Sequence, residues 1–124
     1  MNHFTDWHLL IVEDDPDGQE VLATIMDYHE IPYKMVSTAE EALELVRTTQ
    51  YTAAIIDLQL PGMDGWRLMQ AIRAVAGGVL PCFAITAYHS GSLAVKAVED
   101  GFAGYIPKPL EPTTFVREIT RVIG

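Results

Sequence analysis

The sequence predicts an α/β fold in which a parallel five-stranded sheet is covered by helices on both faces. Short apolar runs rich in valine and isoleucine alternate with longer segments of helical periodicity, which is the pattern of a doubly wound sheet. The 124 residues are 49% hydrophobic and 20% charged, a composition typical of a globular protein. This length suits one domain and leaves no room for a second one with its own core.

The predicted strands are five short runs in which apolar residues predominate. Runs of this length between turn-forming residues are typical of strands rather than helices. They lie at residues 9–12, 33–36, 53–56, 82–85 and 104–106. The segments after them are therefore expected to form five helices.

The first two helices have recognisable starts. Proline is tolerated in an opening turn and aspartate favours the positive end of the helix dipole, so the first helix is predicted to start at Pro16 or Asp17. Thr38 and Glu41 form a capping box at the second. An apolar stripe follows it, made of Ala42, Leu43, Leu45 and Val46.

Glycine and proline delimit the remaining helices. The third is predicted to begin at residues 64–66 and to end at Gly77-Gly78. The fourth is predicted over about residues 92–99, and the fifth over about residues 111–122 with Pro112 near its first turn. With these, the five predicted strands and five helices fill the chain.

Acidic residues dominate the charge, and they are unevenly distributed. The net charge is −9, and the first 33 residues carry eight acids with no lysine or arginine. Residues 89–124 are neutral, with four acidic and four basic side chains. Direct nucleic-acid binding normally needs a basic surface, so we exclude that class of function.

The chain carries no signal for a membrane or for disulfide bonding. Its longest early aliphatic run, residues 9–12, is too short for a signal peptide or a spanning helix, so we expect a soluble, cytoplasmic protein. The single cysteine, Cys82, lies among apolar residues and is predicted to be a buried thiol.

Ionisable residues collect where the predicted strands end. The first strand is followed by Glu13-Asp14-Asp15 and the third by Asp57, while the fifth runs into Lys108. Because parallel strands end at the same edge of a sheet, these side chains are expected to converge. Carboxylates that meet with only one lysine repel each other, and a hard cation such as Mg²⁺ resolves the conflict.

Each of these residues, taken alone, has an ordinary structural explanation. Asp14 and Asp15 can cap the first helix, Asp57 can end a strand and Lys108 can neutralise the acids. Taken together this explanation is weaker, because an aspartate directly after an apolar strand is costly to bury without a partner.

Four segments stand in this order along the chain: LIVEDD at 10–15, DLQLPGMDG at 57–65, ITA at 85–87 and YIPKP at 105–109. Together they resemble the receiver domains of two-component response regulators, and in particular the single-domain chemotaxis-type regulators. The resemblance implies a flavodoxin-like (βα)5 three-layer sandwich with strand order 2-1-3-4-5. It also implies one receiver domain over residues 1–124, with an ordered core at about 8–123.

The resemblance implies that Asp57 accepts a phosphoryl group from a phosphohistidine. The donor would be a sensor histidine kinase or a histidine phosphotransfer protein. Asp14, Asp15 and Asp57 would hold Mg²⁺, or Mn²⁺ in its place, with Asp15 as the direct ligand and Asp14 acting through water. Gln59 would offer its backbone carbonyl to the same ion. The protein would not be an enzyme, since it would promote only its own phosphorylation and dephosphorylation.

The resemblance also implies a switch made of Thr86 and Tyr105. Lys108 would contact one phosphoryl oxygen and the Thr86 hydroxyl another. The switch would alter the face formed by the fourth helix, fifth strand and fifth helix, which can meet a partner or form a homodimer because this part of the chain is neutral. The donor is expected to dock beside the acidic first helix. Receivers usually have a cis peptide bond at the position of Lys108-Pro109.

Gln59 and Tyr88 flank the site, two residues after Asp57 and Thr86, at positions that vary among receivers. Tyr88, two residues after Thr86, is large enough to shield a phosphoryl group from water, so we expect a long-lived phosphorylated form. His89 is interpreted as a surface residue rather than a metal ligand.

Three alternatives compete with a phosphoacceptor. A haloacid-dehalogenase-type phosphatase needs a second acid two residues after its nucleophile, where this chain has Gln59, and no cap domain fits. A flavin carrier needs a phosphate-binding loop after the first strand, where residues 13–15 are all acidic. A receiver-like binding module that works without phosphorylation stays open, although the intact set of site residues counts against it.

Overall fold

The computed structural model describes residues 4–77, 79–88 and 90–124. Its sheet has five strands in the order β2-β1-β3-β4-β5, and every neighbouring pair is parallel. This confirms the predicted doubly wound, flavodoxin-like fold. Gly78, predicted to help end the third helix, and His89, interpreted as a surface residue, lie outside these ranges.

The elements follow one another as strand and helix, after a short 3-10 turn at Phe4–Asp6. Their bounds are β1 (Leu9–Val12), α1 (Pro16–Tyr28), β2 (Tyr33–Val36), α2 (Ala39–Thr48), β3 (Ala53–Asp57), α3 (Gly65–Ala76), β4 (Cys82–Thr86), α4 (Gly91–Glu99), β5 (Gly104–Pro107) and α5 (Pro112–Ile123). The last three strands each extend one residue beyond the predicted end. Asp57 and Thr86 are therefore held in the sheet itself rather than in the loops after it.

Side chains from alternate strand positions form two apolar cores, one on each face of the sheet. Along β1, Leu10 and Val12 pack with α2, α3 and α4, whereas Leu9 and Ile11 pack with α1 and α5. The four β1 side chains are fully buried. Burial on both faces fixes the register of the central strands, and with it the positions of the residues that end them.

α1 and α2, the helices that follow the first two strands, each begin at a polar N-cap residue. The Asp15 side chain accepts a hydrogen bond from the backbone N–H of Gly18 at 3.0 Å, and Pro16 occupies the first turn of α1. Thr38 caps α2 by accepting from the N–H of Glu41 at 3.1 Å, which confirms the predicted cap. No helix in the described ranges combines the length and apolar character that crossing a membrane requires.

Candidate functional site

The site lies at the edge of the sheet where the parallel strands end. Asp57 is the last residue of β3, the central strand of the sheet, and only 5% of its surface is exposed. Its two carboxylate oxygens are held separately. Oδ1 accepts from the backbone N–H of Gln59 at 2.9 Å, and Oδ2 lies 3.1 Å from Nζ of Lys108. The carboxylate therefore has a defined orientation.

Lys108 links the first, third and fifth strands. Its ammonium group lies 2.6 Å from Oε1 of Glu13 in addition to its contact with Asp57. The backbone N–H of Lys108 donates to the carbonyl of Thr86 at 2.8 Å, which fixes the chain just after β5. The peptide bond between Lys108 and Pro109 is cis, as expected from the resemblance.

Glu13 is fully buried, and its environment changes its acidity. Burial raises its pKa to about 7, and a hydrogen bond and the negative charge of Asp57 act in the same direction, while Lys108 opposes them. Burial alone would lower the pKa of Lys108, but its contacts with Glu13 and Asp57 outweigh this effect and raise the pKa. The lysine is therefore held in its charged form between two acids.

Three carboxylates meet at this edge. Oxygen atoms of Glu13, Asp14 and Asp57 lie within 4.8 Å of one another. Glu13 and Asp57 are buried, whereas Asp14 is exposed and gives solvent ions access to the group. A single ammonium cannot balance three carboxylates, and an all-oxygen donor set of this kind fits a hard divalent cation. The residues present therefore fit Mg²⁺.

The three acids that the structure brings together are not the three that the resemblance implies. The resemblance assigned Asp15 to the metal, but its side chain caps α1, and Glu13 joins Asp14 and Asp57 instead. The signal for this was present in the sequence, because the residue before a proline in the first turn of a helix is the N-cap. The capping explanation considered for Asp15 is the one observed.

Thr86 and Tyr105 meet through the backbone of Tyr88. The Thr86 hydroxyl, which is fully buried, accepts from the backbone N–H of Tyr88 at 3.1 Å. The Tyr105 hydroxyl donates to the carbonyl of Tyr88 at 3.4 Å. Both predicted switch residues are thus bonded to the same peptide segment beside the site.

Two glycines allow close packing around the carboxylates. A Cβ atom on Gly18 would lie 2.5 Å from Oε1 of Glu13, and one on Gly65 would lie 2.6 Å from the carbonyl oxygen of Asp57. The contact at Gly65 is with backbone, which cannot move aside without shifting β3. The start of α3 therefore packs directly against the strand that carries Asp57.

The fold and the site together define a doubly wound α/β domain with an acidic, lysine-containing centre at its carboxyl edge. The family model for the response regulator receiver domain matches residues 9–120. The chain therefore belongs to the family of receiver domains found in two-component response regulators.

Two known proteins are similar to this chain over most of its length. An uncharacterized 14.6 kDa protein of Leptolyngbya boryana is 30% identical, with 94% of this chain and 90% of that protein aligned. The response regulator protein FleR of Pseudomonas aeruginosa is 33% identical over 91% of this chain, which spans only 24% of FleR.

One of the similar solved structures contains a metal ion. The receiver domain of the sensor histidine kinase PA1611 from Pseudomonas aeruginosa superimposes with a TM-score of 0.85 at 27% identity, covering 95% of this chain and 98% of that one. That structure has a magnesium ion coordinated in its active-site cleft.

Proposed function

We propose that this chain is a phosphoacceptor switch in which Asp57 takes a phosphoryl group from a phosphohistidine. The observation that carries the proposal is the placement of Asp57, with Lys108 at 3.1 Å and two further carboxylates around it. The donor would be a sensor histidine kinase or a histidine phosphotransfer protein. The chain would promote only its own phosphorylation and dephosphorylation, in the cytoplasm.

The residues of the chain suit in-line phosphoryl transfer. An oxygen of Asp57 forms a bond to phosphorus as the phosphorus–nitrogen bond of the phosphohistidine breaks, and the imidazole leaves with the electron pair. Gln59 and Lys108 each hold one oxygen of the carboxylate, which orients the nucleophile before the donor arrives. Lys108 also offers positive charge to the oxygens of the transferred group.

Glu13, Asp14 and Asp57 would hold Mg²⁺, or Mn²⁺ in its place. When bound, the ion supplies positive charge that offsets the charge spread over the phosphoryl oxygens. The Gln59 carbonyl, assigned to the same ion by the resemblance, belongs to the residue whose N–H already contacts Asp57. Of these residues, Glu13 would act mainly by orienting Lys108 and by its charge.

The contacts of Tyr88 support a route from the site to the surface. A phosphoryl group on Asp57 would draw the Thr86 hydroxyl away from the Tyr88 N–H, and the Tyr88 carbonyl bonds Tyr105. The surface altered would be that of α4, β5 and α5. Val95 and Val98 on α4 are more than half exposed there, which suits docking of a partner or of a second phosphorylated copy.

The central test is labelling by a small phosphodonor. The chain is incubated with Mg²⁺ and acetyl phosphate, and intact mass spectrometry is expected to show one added phosphoryl group that is lost in Asp57→Asn. Asp64→Asn is the matched control, because asparagine can still cap α3. No added mass on the folded chain, or labelling that survives Asp57→Asn, would contradict the proposal. The first of these results would favour a binding module that works without phosphorylation.

A further inference from the structure

α4 is the least buried of the five helices, whose residues are all described. Ala97 is its single buried residue, whereas each of the other four helices buries two or more. Val95 and Val98 are 57% and 60% exposed. Helices in proteins are stabilised mainly by the packing of an apolar face, so the core holds α4 more weakly than the others. Contacts made by its polar side chains therefore matter more to its position.

The indole of Trp66, on α3, contacts α4 and the segment that follows it. Nζ of Lys96, on α4, lies 4.8 Å from the centre of the Trp66 ring, which is a cation–π contact. The Phe102 ring meets the same side chain edge-on, with 5.5 Å between the ring centres and 78° between the planes. Phe102 is buried, and its backbone N–H donates to the carbonyl of Ala97 at 3.0 Å. Trp66 thus contacts both α4 itself and the residue that closes its C-terminal end.

Trp66 is fixed relative to the site through its neighbour Gly65. A Cβ atom on Gly65 would lie 2.6 Å from the carbonyl oxygen of Asp57, so the first turn of α3 has no room to move towards β3. The backbone N–H of Gly65 also donates to the carbonyl of Leu58 at 3.1 Å. The indole therefore belongs to a part of the structure that is tied to the strand carrying Asp57.

The N-terminal end of α4 is connected to the switch residues instead. Its N-cap, Ser90, lies two positions after Tyr88, whose backbone N–H donates to the Thr86 hydroxyl. We call the arrangement that contains this hydrogen bond the resting arrangement. Under the proposed function, a phosphoryl group on Asp57 breaks the bond and releases the segment that leads into α4. Displacement of α4 would then carry Lys96 away from the indole.

We propose that Trp66 is a positioning residue that holds α4 in the resting arrangement and thereby slows phosphorylation of Asp57. This inference rests on the proposed function. A contact shifts an equilibrium only if it differs between the two states, and the contact between Lys96 and Trp66 joins a moving helix to a fixed one. The exposed ion pair of Lys96 with Asp100, at 2.6 Å, links α4 to its own C-cap and moves with the helix. The contact with Trp66 is therefore the one that distinguishes the states.

The rate of labelling by acetyl phosphate with Mg²⁺, followed by intact mass, tests the proposal. Lys96→Met removes the ammonium and keeps an unbranched side chain, and it should label about two- to fivefold faster than the native chain, the range expected for an exposed cation–π contact. Lys96→Arg keeps a cation that stacks on aromatic rings and should label at the native rate. Because the donor is a small molecule, effects on the docking of a partner protein do not contribute.

Lys34→Met is the matched control for the change in charge. Lys34 is an exposed lysine of β2, the edge strand opposite β5, and its substitution should leave the labelling rate unchanged. Thermal unfolding of each variant separates positioning from a general structural role. If Lys96 only stabilised the fold, Lys96→Met would lower the Tm without accelerating labelling.

A double-mutant cycle tests whether Lys96 acts through Trp66. Trp66→Leu should accelerate labelling, and adding Lys96→Met to it should produce no further acceleration, because the contact is already lost. Trp66→Phe keeps an aromatic face and should give an intermediate rate. Circular dichroism checks that the Trp66 variants are folded, and the exposed Lys96 variants test the proposal independently of them.

Hydrogen exchange measures the position of α4 without any phosphoryl chemistry. In Lys96→Met, the backbone amides of residues 91–99 should exchange about two- to fivefold faster than in the native chain. The amides of α1 should be unchanged, since α1 covers the opposite face of the sheet.

Two results would overturn the inference. One is a native labelling rate in Lys96→Met, whatever the exchange of α4. The other is additive effects of Lys96→Met and Trp66→Leu, which would show that the two residues act independently. A native chain that takes no phosphoryl group would instead contradict the proposed function. Exchange of α4 would then decide alone whether Trp66 positions the helix.

Discussion

Nζ of Lys108 lies 2.6 Å from Oε1 of Glu13, closer than its 3.1 Å distance to Oδ2 of Asp57. The buried glutamate therefore holds the lysine beside the proposed phosphoacceptor. Breaking a buried ion pair from one side leaves an uncompensated charge, which is strongly unfavourable. Through this contact with Lys108, Glu13 is itself part of the site and not merely the residue before Asp14.

The first prediction separates Glu13 from Asp15 as a determinant of metal binding. Glu13→Gln should weaken Mg²⁺ binding about tenfold or more, because it removes one of three clustered charges and releases Lys108 towards the others. Asp15→Asn should change the affinity little, because its side chain caps α1 and asparagine caps equally well. Isothermal titration with Mg²⁺ measures both. A larger loss in Asp15→Asn than in Glu13→Gln would restore the assignment suggested by the resemblance.

The second prediction concerns the packing of α3 on β3. Gly65→Ala should lower the free energy of unfolding by about 1–3 kcal/mol, because its Cβ would lie 2.6 Å from the carbonyl oxygen of Asp57 and 2.7 Å from Cα of Leu58. Urea unfolding followed by circular dichroism measures this change.

Gly91→Ala is the matched control for this packing experiment. A Cβ at Gly91 meets nothing within 4 Å, and Gly91 is the first residue of α4. The substitution should leave stability unchanged or raise it by about 0.4–1 kcal/mol. A Gly65→Ala variant as stable as Gly91→Ala would show that the close contact at Gly65 is relieved without cost.

The third prediction concerns the thiol of Cys82. Burial raises its pKa to about 12, with a small opposing effect from Arg73. The thiolate is the reactive form, so at pH 8 the native chain should react with a disulfide reagent such as dithionitrobenzoate far more slowly than the unfolded chain. Absorbance of the released thiol anion, with and without denaturant, measures both rates. Rapid stoichiometric reaction of the native chain would show that β4 opens to solvent.

The elements could be predicted from the sequence because their signals are local. Valine- and isoleucine-rich runs mark the strands, and the Thr38 cap marks α2 within a few residues. The role of Glu13 depends on Lys108, which lies 95 positions away along the chain. Contacts between residues this far apart in the sequence follow from the topology of the fold and not from a local motif.

The last prediction tests whether the Tyr88 ring protects a phosphoryl group on Asp57, and it rests on the proposed function. Tyr88 is 70% exposed, yet its backbone N–H and carbonyl bond Thr86 and Tyr105. Tyr88→Ala keeps both backbone bonds and removes only the ring, so attacking water should reach the acyl phosphate more easily and hydrolysis should accelerate severalfold.

Loss of phosphate after removal of acetyl phosphate, followed by intact mass, gives the rate for this variant. Tyr28→Ala is the control, since that tyrosine is 82% exposed at the end of α1 farthest from the site. An unchanged rate in Tyr88→Ala would mean that the ring points away from the path of water. The lifetime of the phosphorylated form would then be set by the groups that contact Asp57 directly, Lys108 and the Gln59 amide.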